Sequence, residues 1–309
     1  MSGGRGGGGG GLGLQWKVGL VSAQGKYLTA ESFGFKINAS ATTLRKKQQW
    51  TIEQDPNEDE TVYFRSHLGR YLSGDKKGNA TCEAERRGDF EKFVIYYAGD
   101  GSGRWAIANL ATGYYFGGAP EDQVQCQEKQ PGANDWWFVH LAIHPQLNLR
   151  NVNRSKYARL DADSSRLQVT EVIPWGEDAL ITVEYFEGRY CVRTCDNRYL
   201  SRDGSLVDQP NEDTLFTLEI KSGQHSGMAL RDSQGKYLTA VGRDAVMQAR
   251  NKTIGKDELF TIEDSQPQVF VLAHNGKMAS INQGTLYEMV LSNRVSGDPV
   301  LNYLIWSHL

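Results

Sequence analysis

The chain lacks most of what would anchor, export or staple a protein. No run of about 18 apolar residues interrupts its 309 residues, so no membrane-spanning helix and no membrane insertion are expected. The N-terminus does not have the positive-then-apolar layout of a secretory signal, which makes a cytoplasmic location the expectation. Four cysteines, Cys82, Cys126, Cys191 and Cys195, are too few and too irregularly placed for a disulfide framework or a paired-cysteine metal site. Reduced thiols packed as small hydrophobes are expected instead, with Cys191 and Cys195 about 13 Å apart on one face of a strand, beyond disulfide reach. The six histidines show no HExxH or paired spacing, and no G-x-S-x-G, P-loop or dinucleotide fingerprint appears. No metal, no cofactor and no catalysis are therefore expected. A formal net charge of -3 argues against a general nucleic-acid binder, so an electrostatic partner would have to meet a local patch.

What the chain does have is a repeat. A small or polar residue, then a variable one, then Tyr, then an apolar or small residue recurs as Gly25-Lys26-Tyr27-Leu28, Gly69-Arg70-Tyr71-Leu72 and Gly113-Tyr114-Tyr115-Phe116. It continues as Ser155-Lys156-Tyr157-Ala158, Asn197-Arg198-Tyr199-Leu200 and Gly235-Lys236-Tyr237-Leu238. The tyrosines step by 44, 44, 42, 42 and 38. A second anchor follows each one: Trp50, Phe93, Trp137, Leu180, Phe216 and Phe260, at 23, 22, 22, 23, 17 and 23 residues. The fifth copy is shortened in its middle. Runs such as Trp50-Thr51-Ile52-Glu53 and Phe260-Thr261-Ile262-Glu263 alternate with the period of a half-buried strand, and turn formers separate them. Each unit reads as about four short strands, without helix.

Six such units would build either one six-bladed propeller or two β-trefoils of three units each. The break at His144-Pro145-Gln146, between the third and fourth copies, favours two separately closed units. The expected organisation is all-β: a Gly-rich tail over 1–13, one β-trefoil over 14–143, a second over 144–265, and an incomplete third with a divergent tail over 266–309. In that last part a seventh unit opens at Val269-Phe270-Val271-Leu272, and its pattern fails from about Thr285. The apolar stretch Val300–Trp306 is either a partner-binding element or an orphan tail.

The sharpest local feature is Thr42-Thr43-Leu44-Arg45-Lys46-Lys47, two hydroxyls against three consecutive cations just ahead of a core strand. Cations on a rigid rim can pair with an acidic surface, and a phosphate on Thr43 would add about -1.5 to -2 charges and cancel that attraction. The bland alternative is a solvated basic loop. Arg150, Arg154 and Lys156 form a second basic group past the break, suited either to partner contact or to capping an interface between the trefoils. Glu58, Asp59 and Glu60 read as a solvated acidic turn, and Gly99-Asp100-Gly101-Ser102-Gly103 as a hairpin tip.

The segments Gly25–Glu31, Phe33–Ala41 and Leu44–Trp50 resemble the first repeat of the fascin family. Arg65–Leu72, Val172–Gly176 and Gly255–Phe260 resemble it as well, so that the likeness covers roughly 16–284. Fascins are four-trefoil proteins that cross-link parallel actin filaments in filopodia and other protrusions. The resemblance implies filamentous actin as partner, with Lys26, Arg45, Lys46 and Lys47 at the filament surface and Arg154 and Lys156 as further contacts. It also implies a protein kinase C-type kinase acting at Thr43, where the family has serine, and a further phosphorylation position at Ser280. A chain carrying only two trefoils is expected to be a monomer that binds filaments but cross-links them poorly. A lectin-like β-trefoil is the alternative, because Gln48-Gln49-Trp50 matches one copy of the Q-x-W pattern of ricin-type lectins.

Overall fold

The computed structural model describes residues 16–223 and 225–265, and the backbone of 278–281 and 289–292. The tail over 1–13, most of the seventh unit and the stretch Val300–Trp306 lie outside the described residues. The first twelve strands are β1 (Trp16–Val21), β2 (Tyr27–Ala30), β3 (Ile37–Ala41), β4 (Trp50–Gln54), β5 (Thr61–Ser66), β6 (Tyr71–Gly74), β7 (Ala80–Ala84), β8 (Phe93–Tyr97), β9 (Trp105–Asn109), β10 (Tyr115–Gly118), β11 (Val124–Glu128) and β12 (Trp136–Leu141). The next twelve are β13 (Gln146–Asn151), β14 (Lys156–Asp161), β15 (Arg166–Glu171), β16 (Ile181–Phe186), β17 (Arg189–Arg193), β18 (Tyr199–Leu200), β19 (Leu206–Val207), β20 (Thr217–Lys221), β21 (Gly227–Arg231), β22 (Tyr237–Val241), β23 (Val246–Asn251) and β24 (Phe260–Asp264). A separate hairpin joins β25 (Met278–Ile281) to β26 (Met289–Ser292).

Pairing runs β1–β4–β5–β8–β9–β12 and back to β1, a closed barrel of six antiparallel strands. The hairpins β2–β3, β6–β7 and β10–β11 cap it. The second half repeats the plan: β13 pairs β16 and β24, β16 pairs β17, β20 pairs β21, and β21 pairs β24. A bridge from Tyr190 to Phe216 closes the remaining side. Closure after every third repeat defines two β-trefoils and rules out a six-bladed ring. The shortened fifth repeat is accounted for by β18 and β19, which are two residues each.

The repeat grammar has a physical basis. The residue two before each anchor tyrosine sits in the left-handed region in all six copies, with φ between 54° and 77° at Gly25, Gly69, Gly113, Ser155, Asn197 and Gly235. That conformation favours glycine and tolerates Asn or Ser. The tyrosine itself is not the core plug. The following residue is: Leu28, Leu72, Phe116, Ala158, Leu200 and Leu238 are all fully buried. Tyr71 donates to Glu53 (3.1 Å), Tyr157 to Glu263 (2.7 Å), Tyr199 to Glu184 (3.3 Å) and Tyr237 to Glu219 (2.9 Å). Tyr27 meets His140 (2.8 Å), and the Tyr115 ring packs on Tyr96. Each partner lies three residues past the second buried anchor of the preceding repeat (Trp50, Phe93, Trp137, Ile181, Phe216 or Phe260), counted cyclically within its trefoil. The tyrosines thus latch each repeat to its neighbour.

The second anchors are fully buried at Trp50, Phe93, Trp137, Phe216 and Phe260. In the fourth repeat the expectation of Leu180 is off by one: Leu180 is half-buried and Ile181, the first residue of β16, fills the core. A single 3-10 turn precedes every second anchor. Its last residue is buried, and at Gln48, Asp135, Thr214 and Glu258 the side chain accepts the backbone N–H three residues back, as an N-terminal cap does. Cys82, Cys126 and Cys191 are buried; Cys195 lies beyond the end of β17, not on the strand expected from the sequence.

The trefoils meet through a polar-aromatic seam. The Tyr97 hydroxyl donates to the Ile220 carbonyl (2.7 Å) and accepts from the Ile220 N–H (2.9 Å). Tyr190 does the same from the other side, donating to the Val139 carbonyl (2.5 Å) and accepting from the Leu141 N–H (3.0 Å). Burying both phenols leaves no hydroxyl unsatisfied, which is why tyrosine is tolerated there. The Gly99–Gly103 loop is a hairpin tip between β8 and β9, but it docks: a Cβ on Gly103 would lie 2.2 Å from the Gly188 carbonyl oxygen. The acidic turn is likewise engaged rather than merely solvated, since Glu58 pairs with Lys92 (2.6 Å) and Glu60 reaches Lys221 across the seam (2.6 Å).

Candidate functional site

The basic loop follows β3, where the register of Tyr27 against Ala41 carries Lys26 toward Thr42. Thr42 and Thr43 are exposed in a bend, and Arg45, Lys46 and Lys47 are exposed around the 3-10 turn Lys46–Gln48. Three contacts hold this loop in place. Gln48 is buried, accepts the Arg45 N–H (3.1 Å) and donates to the Thr29 hydroxyl (3.0 Å). The Trp50 indole N–H donates to the Leu28 carbonyl (3.0 Å). Leu44 lies with the Tyr27 ring over Gly19, where a Cβ would come within 2.6 Å of Leu44 Cδ1. A rim of cations on a pinned turn loses little conformational entropy when a partner binds.

Lys47 pairs with Glu31 (2.9 Å), and this bond holds the Glu31 carboxyl below the usual carboxylate range. Among the described residues the side chains of Arg45 and Lys46 have no ion-pair partner. His67, in the turn after β5, faces the same group; burial and the nearby charges of Lys46 and Lys47 lower its pKa. Beside it Arg70 lies over the Phe35 ring (4.6 Å), and Phe33 is 93% exposed. The structure therefore brings Lys26, Thr43, Arg45, Lys46 and Lys47 to one rim and adds His67, which sequence reasoning missed. The signal for His67 was absent because the contact joins separate repeats.

Arg154 and Lys156 belong elsewhere, in the second trefoil: Arg154 in the β13–β14 turn and Lys156 at the start of β14. The Arg154 guanidinium donates to the carbonyls of Ala240 (3.1 Å) and Gly242 (3.5 Å), both in that same trefoil, while Arg150 sits over Tyr157. The seam runs through Tyr97, Trp105 and Tyr190, so these cations do not cap it. Ser280 is in β25, opposite Val290. The Gln48 amide, taken up by Arg45 and Thr29, is a structural cap, which removes the feature that suggested a sugar site. Among the described residues no group of three or more His, Cys, Asp or Glu could hold a metal ion, and no helix is long and apolar enough to cross a membrane.

A family model described as the Fascin domain matches residues 24–139 and 147–262, one match inside each barrel. The chain belongs to the fascin family. It is 45% identical over 273 residues to Fascin-2 of Bos taurus and 44% identical over 273 residues to Fascin-2 of Homo sapiens, each alignment covering 88% of this chain and 54% of the relative. To the fascin of Strongylocentrotus purpuratus it is 36% identical over 279 residues, 88% of this chain and 55% of the relative. The chain thus spans about half the length of these fascins.

Proposed function

We propose that the chain is a non-enzymatic, fascin-type module that binds filamentous actin in the cytoplasm and serves the cytoskeleton of actin-rich protrusions. The observation that carries this reading is the pinned, exposed rim of Arg45, Lys46 and Lys47 beside Lys26. Positive side chains on a fixed turn steer an acidic polymer and set its register, with an attraction that salt weakens. Arg154 and Lys156 are further contacts to the same filament. Thr43 sits where a kinase of the protein kinase C type could reach it, and its phosphate would place negative charge among the rim cations. Ser280 is a further phosphorylation position. The unit boundaries proposed are 14–143 and 144–265, after a tail over 1–13 and before an incomplete third trefoil over 266–309.

Cross-linking needs two filament sites on one particle, and the two trefoils by themselves, as a monomer with the one site formed around the rim, are expected to bind filaments without bundling them. Co-sedimentation with filamentous actin tests the reading. High-speed pelleting of the chain should fall when Lys46 and Lys47 are both changed to Glu, and unchanged pelleting would remove the rim as the site. Low-speed pelleting of actin by the unmodified chain would contradict the absence of bundling.

A further inference from the structure

His140, on β12, joins three parts of the molecule that its sequence position does not predict. Its Nδ1 is 2.8 Å from the Tyr27 hydroxyl, and its ring stacks on Tyr185 of the second trefoil with centroids 4.2 Å apart and planes 9° from parallel. Tyr185 meets Tyr190 edge-on at 5.5 Å, and the Tyr190 hydroxyl grips the backbone of Val139 and Leu141, the residues on either side of His140. On the first trefoil His140 is the register partner of Gly19, whose missing side chain makes room for Tyr27 and Leu44. The imidazole is thus wedged between the ring beneath the basic rim and the ring at the seam.

We propose that His140 is a positioning residue coupling the basic rim to the trefoil seam, and that adding a proton to its imidazole loosens both ends together. The neutral ring accepts the Tyr27 O–H at Nδ1 and keeps its own hydrogen on Nε2. A proton on Nδ1 turns that acceptor into a donor, so the bond reverses: Tyr27 must accept at its oxygen and turn its own hydrogen away, which disturbs the ring that packs with Leu44 over Gly19. The groups around the ring do not replace the lost solvation: Tyr27 and Tyr185 are neutral, Tyr190 is committed to backbone, and Gly19 is uncharged. Glu184, the carboxylate on the adjoining strand, is already bonded to Arg193 (2.7 Å). Burial accordingly holds the His140 pKa below that of an ordinary histidine. A cavity of about 420 Å³ lined by His140, Ile143, Pro145, Thr182, Tyr185 and Arg193 opens beside the stack and lets water deliver the proton. The coupling is internal to the chain and stands whether or not the rim binds filaments.

Hydrogen exchange of the full chain, followed by mass spectrometry from pH 7.5 to 5.5 and corrected for intrinsic rates, tests it. Exchange in 42–47 and in 185–189 should rise together as pH falls, by up to about tenfold per pH unit, the limit for one proton. His140→Phe, which keeps a ring in the stack, should make both segments insensitive to pH. Tyr27→Phe should retain the response at 185–189 and abolish it at 42–47. His67→Gln removes the histidine beside Lys46 and Lys47 and should leave the response at 42–47 intact. The proposal is overturned if neither segment responds in the unmodified chain, if the response survives His140→Phe, or if His67→Gln eliminates it at the rim. Should His140→Phe fail to fold, the Tyr27→Phe and His67→Gln results decide.

Discussion

The indole N–H of Trp105, on β9 of the first trefoil, donates to the carbonyl of Leu218 on β20 of the second, 3.0 Å away and fully buried. Trp50 and Trp137 instead donate to Leu28 and Phe116 of their own repeats. One indole out of three has therefore been turned from holding a barrel to holding two barrels together. Trp105→Phe leaves the Leu218 carbonyl without its donor and should cost about 1–3 kcal/mol. In calorimetry it should also split unfolding toward two transitions; a single transition of unchanged midpoint would show that the bond does not couple the trefoils.

The close approach of Gly103 to Gly188 can be separated from backbone strain. Both Gly101 and Gly103 have positive φ, 77° and 74°, but a Cβ on Gly101 meets nothing within 4 Å. Gly101→Ala should cost only about 1–2 kcal/mol of left-handed strain, whereas Gly103→Ala adds about 1–3 kcal/mol from overpacking the seam. Chemical denaturation of the two variants gives the difference directly, and equal losses would mean that the seam opens freely.

The core position of the fourth repeat is testable by truncation. Ile181→Ala empties a fully buried site and should cost about 2–5 kcal/mol, with Leu180→Ala costing clearly less because that side chain is half-exposed. The reverse order would restore Leu180 as the plug.

Glu219 is 7% exposed, and burial raises its pKa above the ordinary 4.5 although the Tyr237 hydroxyl and Arg231 oppose the shift. A raised folded pKa favours the protonated form, so this group's contribution is complete below pH 4.5 and is lost as pH rises through the folded value. Glu219→Gln should flatten that limb of the stability curve. Urea midpoints measured from pH 4 to 8 for both proteins check the sign, and parallel curves would show that Glu219 does not titrate abnormally.

Much of the architecture was legible from one residue type. The six tyrosines marked the repeat because each follows a turn that only small or amide residues adopt comfortably and each latches to a fixed position in the preceding repeat. The residue two before the second anchor caps its turn at Gln48, Asp135, Thr214 and Glu258, but the sequence showed only a Gln-x-Trp at Gln48: a buried carboxamide and a sugar-binding one look alike in sequence. The slip at Leu180 has a similar cause, since Leu180 and Ile181 are both apolar and only burial distinguishes plug from neighbour.

By itself, the order of residues determined the number of units, their all-β character and the cluster of cations ahead of Trp50, and the break at Pro145 favoured a three-by-three grouping that the closed strand pairing then decided. Those properties follow from local preference and periodicity, which act between residues close in the chain. Only the tertiary structure decided that Trp105, Tyr97 and Tyr190 serve the seam, that Arg154 is bound within its own trefoil, and that His140 stands between rim and seam. Each of these depends on contacts between residues about 50 to 120 positions apart, where which partner satisfies a buried polar group is settled by how the closed barrels pack.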